Sequence, residues 1–260
     1  MNNIRPITIL SIAGSDNSSG AGVQADLKTA KDLNAYCLNA ITVVTSQNST
    51  RFYKAFEIPN DIILSQIKTL IKEFRIDGIK IGLLTNKSLV ISLIRILRTL
   101  KGVPIVVDPI FQSSTNKQFF SKSDYRYIYE KISRLNPIFT PNFYEFKTLL
   151  NTGSGKLDLI EDIIDCEAIK FKGKFIITGG DIDEKYSSDI LIDSGRKYVF
   201  KSRKKNTCNT HGSGCCFSTA LTVFLARGEE IKDAIRLSKK YINKIIGKSP
   251  KFGLRYGPIS

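Results

Sequence analysis

The feature that most constrains this chain is an alternation that runs through most of its length. Short apolar runs rich in Val and Ile trade places with longer amphipathic stretches. Strand-like runs fall at residues 7–13, 40–45, 78–83, 104–107, 138–140 and 175–178. Between them, residues 21–33, 61–74, 87–100 and 142–150 read as helices. In the second of these, Ile63, Ile67, Leu70, Ile71 and Phe74 recur at helical spacing. Strand–helix alternation with short links predicts an α/β fold with a mostly parallel, doubly wound sheet covered on both faces. The pattern changes near residue 186. Residues 188–193 and 196–201 flank Ser194 and Gly195, which predicts an antiparallel hairpin at the sheet edge. Two consecutive helices, 214–226 and 232–246, follow. With no low-complexity linker and no internal repeat, residues 1–260 are expected to form a single domain.

Composition serves mainly to exclude. A share of 42% hydrophobic and 24% charged residues is ordinary for a soluble globular chain. The five cysteines (Cys37, Cys166, Cys208, Cys215 and Cys216) are odd in number and lack a C-x-x-C spacing, which argues against a disulfide framework or a zinc site. Reduced thiols in the cytoplasm are the simpler expectation. No segment approaches transmembrane length, so no membrane association is expected, and the first twelve residues read as a strand rather than a signal peptide. The net charge of +15 favours phosphate-bearing partners. The basic residues are nevertheless spread along the chain, with one small cluster at Lys201 and Arg203–Lys205. No aromatic-interleaved basic stripe accompanies them, so specific nucleic-acid binding is not expected.

Open sheets of this kind bind ligands beyond the carboxyl ends of their strands, so the polar, glycine-rich turns should carry the chemistry. The most informative is Asn209-Thr210-His211-Gly212-Ser213-Gly214-Cys215-Cys216, which runs into a helix. Two glycines around a serine allow backbone amides to converge on an anion where the helix dipole is positive. A thiol there should gain thiolate character and can act as a base. A plain glycine-rich cap followed by two buried cysteines fits the same residues. The small-residue turn from Gly14 to Gly22 lets backbone approach a ligand closely, yet it is neither a Walker loop nor G-x-G-x-x-G. Asp26 either complements the dipole of the following helix or faces the crevice as an acceptor. Asp108 ends a strand, where it either reaches Mg²⁺ or forms a turn. Asn142 and Glu145 satisfy a capping box and, at the same helix start, can hold a metal–phosphate group. Thr178, Gly179 and Gly180 end another strand, as a turn or a nucleotide loop. The lone His211 is a poor metal-site candidate and reads as structural. The residues around Tyr125 and Tyr129 read as an ordinary helix face.

Taken in order, these stretches resemble the hydroxymethylpyrimidine/phosphomethylpyrimidine kinases of thiamine biosynthesis, a branch of the ribokinase-like superfamily. The anchors are 8–26, with Ile-Ala-Gly-Ser-Asp and Gly-Ala-Gly-x-Gln-Ala-Asp-Leu-Lys-Thr, then 40–48, Lys80-Ile81-Gly82, Val107-Asp108-Pro109, 140–145, Thr178-Gly179-Gly180 and 209–215. The resemblance implies a single-domain, three-layer ribokinase-like sandwich that uses ATP and Mg²⁺. It implies phosphorylation of a hydroxymethylpyrimidine to its monophosphate and then to the pyrophosphate. It assigns Gly212, Ser213 and Gly214 to the anion hole and Cys215 to the base, where sugar kinases of the superfamily carry aspartate. Gly14, Asp26, Val44, Gln47, Leu83 and Ile110 match substrate positions. Asp108, Asn142, Glu145, Thr178 and Gly180 match nucleotide positions, with Asp108 and Glu145 near Mg²⁺, directly or through water. A homodimer is implied as well. The chain departs from the family pattern at 110–120, where Gln-Ser-Ser-Thr-Asn-Lys-Gln replaces a small-residue loop, and at Thr178, where many members carry lysine. Its Gly-Pro-Ile-Ser ending at 257–260 also differs from the family's G-P-x-x-H. The alternatives are a pyridoxal or pyridoxine kinase on the same scaffold, and a catalytically silent pyrimidine- or nucleic-acid-binding protein.

Overall fold

A computed structural model describes residues 5–84, 86–112, 118–150, 171–179, 186–205, 207 and 210–248. The predicted alternation is realised in order as β1 (Thr8–Asp16), α1 (Gly22–Asp32), β2 (Tyr36–Gln47), β3 (Phe52–Glu57), α2 (Asn60–Glu73), β4 (Gly78–Ile81), α3 (Lys87–Leu97) and β5 (Ile105–Val107). There follow α4 (Lys122–Ile132), β6 (Ile138–Phe139), α5 (Phe143–Leu150), β7 (Lys174–Ile177), β8 (Tyr186–Asp193), β9 (Arg196–Arg203), α6 (Ser213–Ala226) and α7 (Ile231–Lys248). Several helices begin where a side-chain oxygen receives an otherwise orphan amide: Asn86 accepts from Leu89 N and Ser121 from Asp124 N.

Among the described residues, nine strands join one sheet in the order β3-β2-β1-β4-β5-β6-β7-β8-β9. The strands from β2 to β7 along that order run parallel, while β3, β8 and β9 are antiparallel to their neighbours. The chain leaves β1 toward β2 on one side and returns to β4 on the other. The crevice above β1 and β4 is therefore the switch point at which open sheets take ligands. The predicted hairpin is β8–β9. The edge strand β3 was not legible in the sequence, because its exposed face lacks apolar alternation. It forms by antiparallel pairing with the overlong β2.

Strand alternation sorts the side chains into two cores. Ile105 and Val107 of β5 face α2–α5, together with Leu10, Ile12, Ile79, Ile81 and Phe139. Val106 faces the opposite layer, where Ala25 of α1, Phe217 and Leu221 of α6, and Ile235 and Tyr241 of α7 pack with Ile176 and Leu191. The result is the expected three-layer sandwich. Tyr125 and Tyr129, expected on an ordinary helix face, turn out to be fully buried on α4, and the Tyr125 hydroxyl donates to Pro109 O at 2.5 Å. Among the described residues no helix is long and apolar enough to cross a membrane.

In β4 the same alternation sends a lysine inward. Lys80 lies between Ile79 and Ile81 and points toward α1 and α6, where its Nζ donates to both oxygens of Asp26 at 2.9 Å. Ser11 of β1 and Thr219 of α6 donate to the same carboxylate at 2.5 and 2.7 Å. Both members of the pair are 0% exposed. Burial alone would lower the Lys80 pKa, but the Asp26 charge beside it pushes it well above the ordinary lysine value. This corrects one expectation. Asp26 does not reach into the crevice to meet a pyrimidine, because an inward lysine at β4 needs its charge beneath the floor. Removing one partner of a buried pair leaves an uncompensated charge, so Lys80→Met should cost about 3–5 kcal/mol in urea denaturation. Adding Asp26→Leu should restore much of that loss, whereas a single-variant cost below about 1 kcal/mol would show that the pair is not a clamp.

Candidate active site

A cleft of about 510 Å³ opens over the carboxyl ends of the parallel strands. One wall is the β9–α6 turn. Gly212 caps α6 with φ +84, and a Cβ there would lie 1.9 Å from Gly20 O, so both the left-handed conformation and the close approach call for glycine. Gly212 offers no side-chain cap. Ser213, Gly214 and Cys215 follow as the first residues of α6 and line the cleft, where the orphan amides and positive potential of a helix start suit an anion.

Cys215 sits in a more contested setting than its position at a helix start implied. Its pKa is pushed well above the ordinary thiol value, chiefly because it is buried, with the Asp108 and Asp26 charges adding to the effect. The Lys80 charge and the Gly22 amide pull the other way without overcoming burial. The thiolate expected from the helix dipole alone is therefore a thiol in the ligand-free protein, because desolvation outweighs the dipole. The neighbouring Asp108 carboxylate accepts from Ser218 Oγ at 3.3 Å.

Asp108 leaves β5 with its backbone amide bonded to Ile81 O, and the next carbonyl is held by Tyr125. Glu145, on the first turn of α5, completes the predicted capping box: its Oε2 accepts from Asn142 N at 3.0 Å, and Asn142 Oδ1 accepts from Glu145 N at 2.8 Å. Its other oxygen accepts from Phe111 N at 3.2 Å, tying the segment after Asp108 to α5. Both carboxyl groups are pushed up from their ordinary values, first by burial; the Asp108 charge adds to the effect at Glu145, while at Asp108 Lys80 opposes it and the Asp26 charge adds to it. Cap and site are one object here. Thr178 joins it through its amide, which donates to Pro141 O at 2.9 Å.

Gly14, Gln47, Leu83, Ile110, Asp108, Asn142, Glu145, Thr178, Gly212, Ser213, Gly214 and Cys215 all line this cleft. Asp26 lies below it. Val44 is 42% exposed and outside the lining, while its neighbour Val43 packs on Gly14. Gly180 falls outside the described residues. Residues not singled out as site groups also line it. Asp16 and His211 share a 2.9 Å hydrogen bond, and Asp189 with Lys239 forms a buried ion pair at 2.6 Å. Asp16 and His211 carried one sequence signal, their position in glycine-rich turns, whereas Asp189 in β8 and Lys239 in α7 carried none.

A carboxyl group that binds protons more tightly when folded stabilises the fold while protonated, and that contribution fades as pH rises through its folded pKa. With metal chelated, the ligand-free protein should therefore lose thermal stability between acidic and neutral pH because of this pair. Glu145→Gln should flatten that slope in melts across the range. An unchanged slope would show that Glu145 is ionised throughout.

A family model described as phosphomethylpyrimidine kinase matches residues 16–260. The hydroxymethylpyrimidine/phosphomethylpyrimidine kinase of Aquifex aeolicus is 32% identical over 95% of this chain and 97% of its own length. The pyridoxine kinase of Bacillus subtilis is 31% identical over 96% of this chain and 93% of its own. Among solved structures, an ADP complex of Bacillus subtilis pyridoxal kinase superposes with a TM-score of 0.87 at 30% identity, covering 98% of this chain and 97% of that one. The phosphomethylpyrimidine kinase of Clostridium difficile gives a TM-score of 0.76 at 28% identity, covering 92% and 98%. The turn at the start of α6, the buried carboxylates beside it and these full-length likenesses lead to one conclusion: the chain belongs to the phosphomethylpyrimidine kinase family.

Proposed function

We propose that this kinase transfers the γ-phosphoryl group of ATP to the hydroxymethyl group of 4-amino-5-hydroxymethyl-2-methylpyrimidine, and then phosphorylates the monophosphate to the pyrophosphate. The observation that carries this reading is the meeting, in one cleft, of the α6 helix start, the Cys215 thiol and two buried carboxylates, with Gln47 and Gly14 at its substrate end. Phosphoryl transfer asks a protein mainly to position its reactants and to neutralise charge, and this cleft is furnished for both. Gly212–Cys215 receives the transferring group, Gln47, Leu83 and Ile110 flank the acceptor ring, and Thr178 belongs to the nucleotide side. Asp26 and Val44 act from outside the lining, as supports. Cys215 is the group placed to take the hydroxyl proton, a role it fills as the thiolate, its own proton having first left to solvent. Lys80, the Gly22 amide and the start of α6 all favour the negative sulfur this requires.

Asp108 and Glu145 suit a magnesium ion. Both are buried and raised in proton affinity, Glu145 in part by the Asp108 charge, and a divalent cation would offset that cost. Magnesium needs one or two carboxylates beyond water and phosphate oxygens, and among the described residues no cluster of three metal-binding side chains exists. When bound, the ion would spread the charge of the nucleotide phosphates. The buried free thiols Cys37, Cys215 and Cys216 fit a reducing cytoplasm. The exposed apolar side chains Val44, Tyr53 and Phe56 along β2–β3 support a second copy of the chain docking at this edge.

ADP release from Mg·ATP, measured with hydroxymethylpyrimidine, its monophosphate and pyridoxal in parallel, tests the reading. Turnover on both pyrimidines above that on pyridoxal is expected. Preference for pyridoxal would favour the second reading, which rests on the likeness to the Bacillus subtilis pyridoxine and pyridoxal kinases. Cys215→Ala should lower kcat by about 10²–10⁴-fold, the usual worth of a general base, while the affinity for a non-hydrolysable ATP analogue changes less than about threefold. Unchanged kcat would remove Cys215 from the proton step.

A further inference from the structure

The two loops that meet over the cleft are fastened to each other by one carboxylate. Asp16, at the end of β1, is 3% exposed. Its Oδ1 accepts from the amide and the hydroxyl of Ser18, both at 2.8 Å. Its Oδ2 accepts from Gly20 N at 3.1 Å, Ala21 N at 2.8 Å and His211 Nε2 at 2.9 Å. The first four bonds wind the β1–α1 loop around the carboxylate, holding Ser19 at φ +60, a conformation serine seldom adopts unaided. The fifth crosses 195 positions in sequence to the residue just before Gly212. Burial alone would raise the Asp16 pKa, but hydrogen bonds from His211 and Ser18 outweigh it and hold the carboxyl well below the usual range.

Contact between the loops is tight. A Cβ on Gly20 would lie 2.1 Å from His211 Cδ2, and one on Gly212 would lie 1.9 Å from Gly20 O. The β1–α1 loop also holds the substrate end. Gln24 Nε2 donates to Ser15 Oγ at 2.7 Å, and Asn17 Oδ1 accepts the Gln47 amide at 2.8 Å. The chain from Gln47 to Gly212 thus runs through hydrogen bonds and close contacts with Asp16 at its centre.

We propose that Asp16, acting through His211, is a positioning residue for phosphoryl transfer that fixes the Gly212–Cys215 turn against the loop holding the acceptor. This rests on the reading of that turn as the seat of the transferring group. The carboxylate touches neither reactant. It sets the distance between the two halves of the site, and an error of about 1 Å in such a distance costs on the order of 100-fold in rate.

The test compares His211→Gln with His211→Leu at saturating Mg·ATP and acceptor, on whichever of the two pyrimidines or pyridoxal the wild type turns over fastest. Glutamine keeps an N–H donor near the place of Nε2, and leucine does not. His211→Leu should lose about 100-fold in kcat with KM for Mg·ATP within about threefold, and His211→Gln should stay within about fivefold of wild type. A fold support without a positioning role would move Tm in both variants but would not separate their kcat values. Should His211→Leu fail to fold, Asp16→Asn replaces it. Whichever way its amide turns, the NH2 group meets backbone N–H donors, that of Ser18 on one side or those of Gly20 and Ala21 on the other, and the same loss of kcat is expected. Wild-type kcat in a folded His211→Leu or Asp16→Asn protein overturns the proposal, as does an equal fall in the glutamine and leucine variants. A wild type idle on all three acceptors overturns the kinase reading, and the positioning role with it.

Discussion

The ion pair of Lys80 with Asp26 sits where β1, β4, α1 and α6 meet, and the rest of the site is arranged around it. Taking two charges out of water costs several kcal/mol for each ion, and the attraction between them repays this only when the geometry is good and every remaining donor and acceptor is satisfied. Here Lys80 reaches both oxygens of Asp26, and hydroxyls from Ser11 and Thr219 complete the carboxylate's shell. Such a knot tolerates little displacement. It fixes the depth at which α1 and α6 lie on the sheet, and the starts of those two helices form opposing parts of the cleft. The lysine has a second effect, since its positive field reaches both Cys215 and Asp108 above it.

The chemistry of the cleft follows from a contest between that field and burial. Desolvation pushes Cys215, Asp108 and Glu145 toward their protonated forms, while Lys80 opposes it at the first two. A ligand-free site in this state is charged less than its residues suggest. Arrival of a cation and phosphates would change the balance for all three groups together, so binding and readiness for proton transfer are linked by electrostatics alone. The capping box of α5 takes part in this, because the glutamate that satisfies Asn142 N is also one of the two carboxylates.

How much of this was legible depended on the range of the interaction. The sandwich was readable because burial on one face or two imposes periods that a window of a dozen residues reveals. The glycine-capped start of α6 and the capping box were readable for the same reason, each being a local device with its partners within four residues. Asp26 was misplaced because its role is set by Lys80, 54 residues away on another element, and nothing in the segment around Asp26 announces an inward lysine. Val44 was assigned to the pocket by resemblance, but the structure packs Val43 against Gly14 and turns Val44 outward. The edge strand β3 carried no pattern because it is built on backbone pairing to β2 with one side left to solvent. Cys215 does line the cleft at the start of α6, but burial there favours the thiol rather than the expected thiolate. A helix dipole can be inferred from sequence, whereas the burial that overrides it cannot.

The choice between acceptor rings rests on a still finer scale. The relatives this chain resembles include both pyrimidine and pyridoxine kinases at nearly equal identity, so the shared sandwich and anion turn do not decide the substrate. What distinguishes two hydroxymethyl-bearing six-membered rings is the hydrogen-bonding edge each presents. A site discriminates strongly only where mismatched binding leaves a buried polar group unpaired. Of the residues proposed for the acceptor ring, Gly14, Gln47, Leu83 and Ile110, Gln47 alone carries a polar side chain, so its amide is the one among them that could impose such a penalty. Its backbone is pinned by Asn17 in the loop that Asp16 organises. On the proposed reading, the precision of that amide depends on the same carboxylate that holds the turn before α6, and discrimination between rings would share its support with catalysis.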